Sequence, residues 1–228
     1  ILYVATDLNG ALYWSGLIYA RGGFTDLPDT GTALPTDAPP LAVTPAGRGD
    51  AFYETNFSGG WPDFTIEGAQ AAGVSGGYQL TATDTAIWTY TTQARETNFY
   101  AEAAITPSQC PEGQGAYGLI FHYVDNGNYR AFVVTCSGLW SLLERRGTSG
   151  PARSLAGGEL PPSMTPASGL HRVGVRALNN ILEFFVDDVR VGTHQVTSSS
   201  AGDIGPYVEA KSGRISVLYS ALTAYLPQ

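Results

Sequence analysis

The stretch from residue 116 to residue 136 constrains the fold more than any other. Ala116–Val124 (AYGLIFHYV) and Asn128–Cys136 (NYRAFVVTC) are strand-length runs rich in aromatic and β-branched residues, flanking Asp125-Asn126-Gly127. Two such runs around residues that accept turn conformations read as a β-hairpin. Strict alternation puts Tyr117, Leu119, Phe121 and Tyr123 on one face and Gly118, Ile120, His122 and Val124 on the other. The pattern recurs. Leu139–Arg145 follows Ser137-Gly138, His171–Leu178 and Ile181–Val186 flank Asn179-Asn180, and Asp188–Gln195 and Arg214–Leu226 come after them. Tyr78–Thr83, Ala86–Thr91 and Asn98–Thr106 lie upstream. No long run carries apolar residues at helical spacing. Many short strands without a crossover helix predict an all-β chain of antiparallel sheets, packed as a two-sheet jelly-roll sandwich.

Composition narrows the function classes. Charged residues make up 14% of the 228, against about 25% in an average globular domain. The net charge of −8 excludes the basic stripe that phosphate binding needs, so no nucleic-acid partner is expected. No apolar run approaches the roughly 18 residues of a membrane helix, so no membrane insertion is expected. The chain begins at Ile1 rather than Met, as expected of a chain that has lost a leader or is a piece of a longer one. Cys110 and Cys136 are the two cysteines, and in a Gly- and Thr-rich chain they read as one disulfide in an oxidising compartment, with two buried free thiols as the alternative. A bridge would close a loop of roughly 25 residues, worth about 3 kcal/mol. The expected location is extracellular or on the cell surface.

Three regions differ in character. Residues 1–24 are apolar and aromatic; residues 25–49 hold five Pro, five Thr and no aromatic residue; residues 50–228 carry the sandwich pattern. The first region reads as a β-hairpin arm turning at Asn9-Gly10, with Leu2, Val4, Leu12, Trp14 and Ile18 among its apolar residues. Both of its faces are apolar, and an isolated hairpin is marginal in water, so it needs a docking site. The second region reads as an extended linker. A two-faced arm can complete a neighbour's sheet edge, and the single Lys, Lys211, leaves edge strands without their usual blunting. Copies of the chain joined head to tail in this way would form a fibre or surface array.

Several motifs, in order, resemble the concanavalin A-like, laminin G-like jelly rolls of bacterial extracellular proteins. They are Phe57-Ser58-Gly59-Gly60-Trp61, then Gly76-Gly77-Tyr78-Gln79-Leu80, then Gly118-Leu119-Ile120-Phe121 with Asp125-Asn126-Gly127-Asn128-Tyr129. His171-Arg172-Val173-Gly174-Val175 and Ile181–Asp188 complete the set. The resemblance implies the fold over residues 50–228. It leaves function open, because this fold carries many.

Some members of that superfamily hydrolyse β-glucans with a Glu-x-Asp-x-x-Glu strand, which sets two carboxyls about 5–5.5 Å apart. No such spacing occurs here. Asp187 and Asp188 would point to opposite faces of a strand, and Glu96 and Glu102, six residues apart, would lie about 20 Å from each other. His122, His171 and His194 sit in no recognisable catalytic motif. The sequence therefore predicts no enzyme, and no cofactor. Ca²⁺ at Asp125-Asn126-Gly127-Asn128 is weighed against a plain turn. Trp61, Trp88, Tyr90, Tyr100 and Trp140 are candidates for a sugar-stacking platform, against the alternative that they are core. Asn56, in the sequon Asn56-Phe57-Ser58, and Thr30, Thr32, Thr36 and Thr44 are candidate glycosylation positions. The leading reading is a non-catalytic extracellular subunit that self-assembles through its arm; the alternative is a carbohydrate-binding module of a secreted or cell-surface protein, with glycans as its partners.

Overall fold

The alternating strands of the sequence close into two antiparallel sheets. The protein is described by a computed structural model that covers residues 5–6, 12–13, 48–111, 113, 115–147 and 151–227. The chain divides into two units, Ile1–Ala38 and Pro39–Gln228. In the first, β1 (Ala5–Thr6) pairs antiparallel with β2 (Leu12–Tyr13). The pairs are Ala5 with Tyr13 and Thr6 with Leu12, one residue off the register that a two-residue Asn9-Gly10 loop would set.

The second unit is the sandwich, with no helix among the described residues. One sheet runs β13 (Arg153–Glu159), β12 (Leu139–Arg146), β11 (Asn128–Thr135), β10 (Gly115–Asp125), β17 (Gly202–Ala210), β7 (Ala86–Trp88), and β8 (Thr91–Glu96) also pairs β17. The other runs β16 (Val189–Gln195), β15 (Ile181–Val186), β14 (His171–Leu178), β9 (Phe99–Gln109), β18 (Arg214–Pro227), β6 (Gly77–Thr83), β5 (Ala69–Val74), β4 (Phe64–Ile66), with β3 (Arg48–Thr55) also on β18. All pairings are antiparallel, as the absence of crossover helices predicts. β3 starts inside the stretch read from sequence as linker, and its Arg48 sits opposite Pro227. Leu119, Phe121, Phe132 and Leu142 of the first sheet meet Val175, Phe184, Val217 and Leu222 of the second in the main core.

Turn chemistry follows the sequence closely. Asn179 and Asn180 take positive φ (49° and 67°) between β14 and β15, and Asp187 and Asp188 do so (49° and 65°) between β15 and β16. Both are two-residue turns of the type that matches strand twist. Asp187 and Asp188 are thus turn residues and not strand neighbours on opposite faces. Glu96 ends β8 in one sheet and Glu102 lies in β9 of the other, so they share no strand.

One departure from alternation matters for the site. The register of β10 shifts between Phe121 and Asp125 against β11, and between Ile120 and Tyr123 against β17, with His122 at φ 48°. This β-bulge flips the following side chain. Phe121 stays in the main core, whereas Tyr123 joins a second cluster on the outer face, not the Phe121 face that strict alternation gives.

Candidate functional site: an aromatic cleft on the outer face of one sheet

An antiparallel sheet normally turns one face to the core and a polar face to water. The seven-stranded sheet does not. Its outer face carries Ala116, Ile120, Tyr123, Tyr129, Ala131, Val133 and Tyr207, all buried, with Trp88 and Leu143 half-buried beside them. The rings form a continuous row. Trp88 stacks on Tyr207 (centroids 6.0 Å) and touches Tyr129 (5.4 Å); Tyr129 touches Tyr123 (6.5 Å), and Tyr123 touches Tyr90 (4.3 Å). Tyr129 comes from β11, Tyr207 from β17 and Trp88 from β7. Register sets Trp88 opposite Tyr207 on neighbouring strands, whereas β10 separates β17 from β11 and the Tyr129 ring meets Trp88 across the face of the sheet. They floor a cleft of about 560 Å³, rimmed by Arg145, Glu209, Lys211 and Ser154.

The polar groups of the cleft are tied to its floor. Arg145 hydrogen-bonds the Tyr129 hydroxyl, which partly opposes the upward push of burial on that phenol. The Tyr207 hydroxyl lies 3.5 Å from Glu209 Oε2, and burial, reinforced by that carboxylate, raises the Tyr207 phenol well above its usual range. Both phenols therefore stay neutral and keep their hydroxyls as donors and acceptors. The chemistry on offer is the half-buried Trp88 ring, backed by the buried Tyr129 and Tyr207, with a rim of donors and acceptors for hydroxyls.

Tyr129 and Arg145 also line a second, smaller pocket of about 150 Å³, together with Asn128, Arg130, Arg146 and Ser200. At its base Glu144, almost wholly buried, accepts from Arg130 (3.2 Å) through Oε1 and from Arg146 (3.0 Å) and Arg153 (3.0 Å) through Oε2. These contacts outweigh the desolvation that would raise the Glu144 carboxyl, and its pKa is lowered. Arg130 also donates to His122 Nδ1 (3.1 Å) and to the Ser198 carbonyl (2.9 Å). His122 Nδ1 is therefore an acceptor, and Nε2–H donates to the Thr97 carbonyl at 3.1 Å. Burial pushes the ring down to about 4, with Arg130 adding to the effect, so it is neutral at pH 7.

The residues singled out from sequence divide. Trp88 is in the cleft. Tyr90 and Trp61 line a separate pocket of about 400 Å³ with Tyr53, Glu54 and Gln93. Tyr100 and Trp140 are buried and offer no free face, which corrects their place in a sugar platform. Tyr100 is closed in by Phe185, Tyr225 and Arg48, and Trp140 packs inward on Phe132 and Phe184. Cys110 and Cys136 are bonded, Cα–Cα 5.5 Å, so the free-thiol alternative is excluded. Asp125 Oδ1 accepts from Gly127 N (2.7 Å) and Asn128 Nδ2 (2.9 Å) within the hairpin turn. His171 donates through Nδ1 to Asp187 Oδ2 (2.9 Å), and His194 lies on β16 opposite Leu182. Asn56 is exposed, and its Oδ1 accepts from Ser58 N. Leu12 is in β2; Leu2, Val4, Trp14, Ile18, Thr30, Thr32, Thr36 and Thr44 lie outside the described residues.

Tyr129, Tyr207, Arg145 and Glu209 are cleft residues that sequence reasoning did not single out. For Tyr207 and Glu209 the missing signal was β17 itself. Its Gly205-Pro206 reads as a loop, yet Ile204, Pro206, Val208 alternate with Gly205, Tyr207, Glu209 at strand period.

No protein-family model matches the chain, and no curated protein matches it. Solved structures do. A Bacillus subtilis protein of unknown function with a galectin-like fold shares 12% identity, over 79% of this chain and 97% of that one, with TM-score 0.61. The carbohydrate-binding module CBM66 from Bacillus subtilis shares 20%, over 78% and 98%, with TM-score 0.50. A Bacillus licheniformis β-glucanase shares 9%, over 79% and 99%, with TM-score 0.54. The body of the protein has the concanavalin A-like jelly-roll fold that the sequence motifs imply. The expectation that the chain is no enzyme is corrected here: besides the β-glucanase, a laminarinase, a κ-carrageenase and an endo-β-galactosidase share the fold, which therefore carries glycoside hydrolysis as readily as binding.

Proposed function

We propose that this protein recognises carbohydrate through the outer face of its seven-stranded sheet, and that it works in an oxidising, extracellular setting. The observation that carries the reading is the aromatic floor Trp88–Tyr207–Tyr129 in a cleft with a polar rim. Burying outward-facing aromatics in a cleft apart from the core is what a saccharide site requires, since pyranose rings present apolar faces and hydroxyl edges. Structural neighbours that bind or cleave polysaccharides support it, and the disulfide supports the compartment. The assembly reading stands second, because it rests on residues 1–24, of which only residues 5–6 and 12–13 are described.

The test is a glycan array probed with the full chain, followed by titration of any ligand found. Trp88→Ala should weaken binding at least about tenfold, the low end of removing a central aromatic anchor. Mass spectrometry of the incubated ligand tells whether it is also cut. A chain that binds no glycan, or binds equally well without Trp88, overturns the proposal.

A further inference from the structure

One buried carboxylate holds three arginines. Arg130, Arg146 and Arg153 all bond Glu144. Arg130 and Arg153 sit directly opposite Glu144 on the two neighbouring strands, and Arg146 follows it by two residues, so all four share one face of the seven-stranded sheet. That face is the one turned toward the core. Phe132 and Leu142, on the same side, are core residues, whereas Tyr129 and Leu143, which precede Arg130 and Glu144, belong to the outer cluster. The sheet therefore separates this cluster from the Trp88 cleft.

Three positive charges less one leave +2, in a chain whose net charge is −8. Arginines elsewhere are matched more evenly. On the nine-stranded sheet Arg48, Arg172, Arg176 and Arg190 share Glu102, Asp188 and Glu183, four charges against three. Arg95 pairs one to one with Asp203. No neighbour supplies the missing charge. His122 accepts from Arg130 and is neutral at pH 7, and the Asp125 carboxylate is bound within its own turn. Like charges brought this close repel, so an anion placed among them is favoured.

The pocket beside the cluster can take one. Arg130, Glu144 and Arg146 line it with Ser198 and Ser200. Arg130 is fully engaged: Nε, Nη1 and Nη2 donate to Glu144, His122 and the Ser198 carbonyl. Arg146 is not. Glu144 holds it by Nε at 3.0 Å, its side chain is 52% exposed, and its terminal nitrogens have no partner among the described residues. A guanidinium fixed along one edge and open along the other is a prepared fork for an oxyanion. Ser198 and Ser200 are exposed and add hydroxyl donors. The volume, about 150 Å³, suits a group of a few atoms.

We propose that this pocket binds a tetrahedral dianion, a sulfate or phosphate group, between the open edge of Arg146 and the hydroxyls of Ser198 and Ser200. Its two negative charges bring the +2 cluster to neutrality. The site lies on the opposite face of the sheet from the cleft and does not depend on the carbohydrate reading.

The experiment is calorimetric titration of the full chain with sodium sulfate and with sodium phosphate, each against sodium chloride at matched ionic strength. At least one dianion should bind saturably with a stoichiometry of one. Arg146→Gln should weaken it at least about tenfold, the low end for losing a charge-assisted hydrogen bond. The pair Ser198→Ala and Ser200→Ala, which leaves the Glu144 contacts in place, should weaken it several-fold. Arg190→Gln, an exposed arginine bonded to Glu183 on the other sheet, and Trp88→Ala should leave it unchanged. Galactose 6-sulfate and glucose 6-phosphate then distinguish the source: an ester bound as tightly as the inorganic ion assigns the group to a larger ligand, and an excluded ester assigns the free ion. Heat matched by chloride, or binding that survives Arg146→Gln, overturns the proposal. Loss of dianion binding in Trp88→Ala overturns its separation from the cleft.

Discussion

His122 joins the bulge, the buried ion cluster and the cleft. Its left-handed backbone makes the β10 bulge that sends Tyr123 to the outer face, and its ring accepts from Arg130. The close fit extends to Gly202, where a Cβ would come within 2.5 Å of His122 backbone atoms. The ring has a titration signature. A histidine whose folded pKa is lowered, here to about 4, contributes stability that is fully present above the unfolded value of about 6.5 and is lost as pH falls between the two. The shift corresponds to something on the order of 3 kcal/mol. His171 has the opposite sign: its bond to Asp187 raises it, so its contribution is present at low pH and disappears as pH rises through its folded pKa. The contribution of His122 is therefore isolated by difference. His122→Asn, which tolerates the same backbone conformation without titrating, should flatten the loss of stability between about pH 7 and pH 4. Urea unfolding across that range checks it, and an unchanged pH slope would show that the ring does not govern acid sensitivity.

At the scale of elements, β17 determines the site, and like β3, β4, β5, β8 and β13 it was not read as a strand from the sequence. It supplies Tyr207 and Glu209, and it is held by β10 on one side and by β7 and β8 on the other. Gly205 permits this. A Cβ there would stand 2.0 Å from the Thr89 carbonyl oxygen and 2.7 Å from Tyr90 Cα, both backbone atoms of the segment linking β7 to β8. Backbone cannot step aside as a flexible side chain can, so Gly205→Ala should cost at least the roughly 1–3 kcal/mol of an overpacked core. It should also disturb the stacking of Trp88 on Tyr207. Denaturant melts and tryptophan fluorescence read the two effects, and a variant with wild-type stability and spectrum would contradict this account of the strand. The contrast with other elements is instructive. β14 and β15 were legible to the residue, because alternation and an Asn-Asn turn agree there. β17 was not, because Gly205-Pro206 signals a turn unless the neighbouring backbone is known. The same limit applies to the candidate site. Trp88 stood out as an aromatic, but alternation cannot tell which apolar face of a strand is core. Trp140 and Trp88 therefore looked alike in sequence, although one faces Phe184 and the other the cleft. Arg130 and Glu144 were missed because a buried ion cluster has no local pattern; it exists only through the pairing of β11 with β12.

For the whole molecule, the disulfide links the two sheets at one end. Cys110 follows β9 of the nine-stranded sheet, and Cys136 follows β11 of the seven-stranded one. Between them runs only β10 and its hairpin, so the bond fixes the end of one sheet to the strand pair that carries Tyr129 and the arginine pocket. Tyr219 of β18 makes a second link nearby; its hydroxyl donates to the Tyr207 carbonyl (2.7 Å) and accepts from Gly118 N (3.3 Å). The sandwich core touches both sheets over a large area, so the bond is not needed to define the fold. Its effect is on the unfolded chain, whose freedom it reduces by closing a loop of 26 residues. That effect is worth about 3 kcal/mol in the chain-entropy treatment. Cys110→Ser with Cys136→Ser should lower unfolding free energy by this amount while leaving glycan affinity within about twofold, because neither cysteine lines the cleft or the arginine pocket. Thiol titration of the unreduced, denatured wild-type chain should find no free thiol. If the double variant instead lost binding in proportion to stability, the two sheets would have to be coupled through this end of the sandwich, and the cleft could not be treated as a surface of the seven-stranded sheet alone.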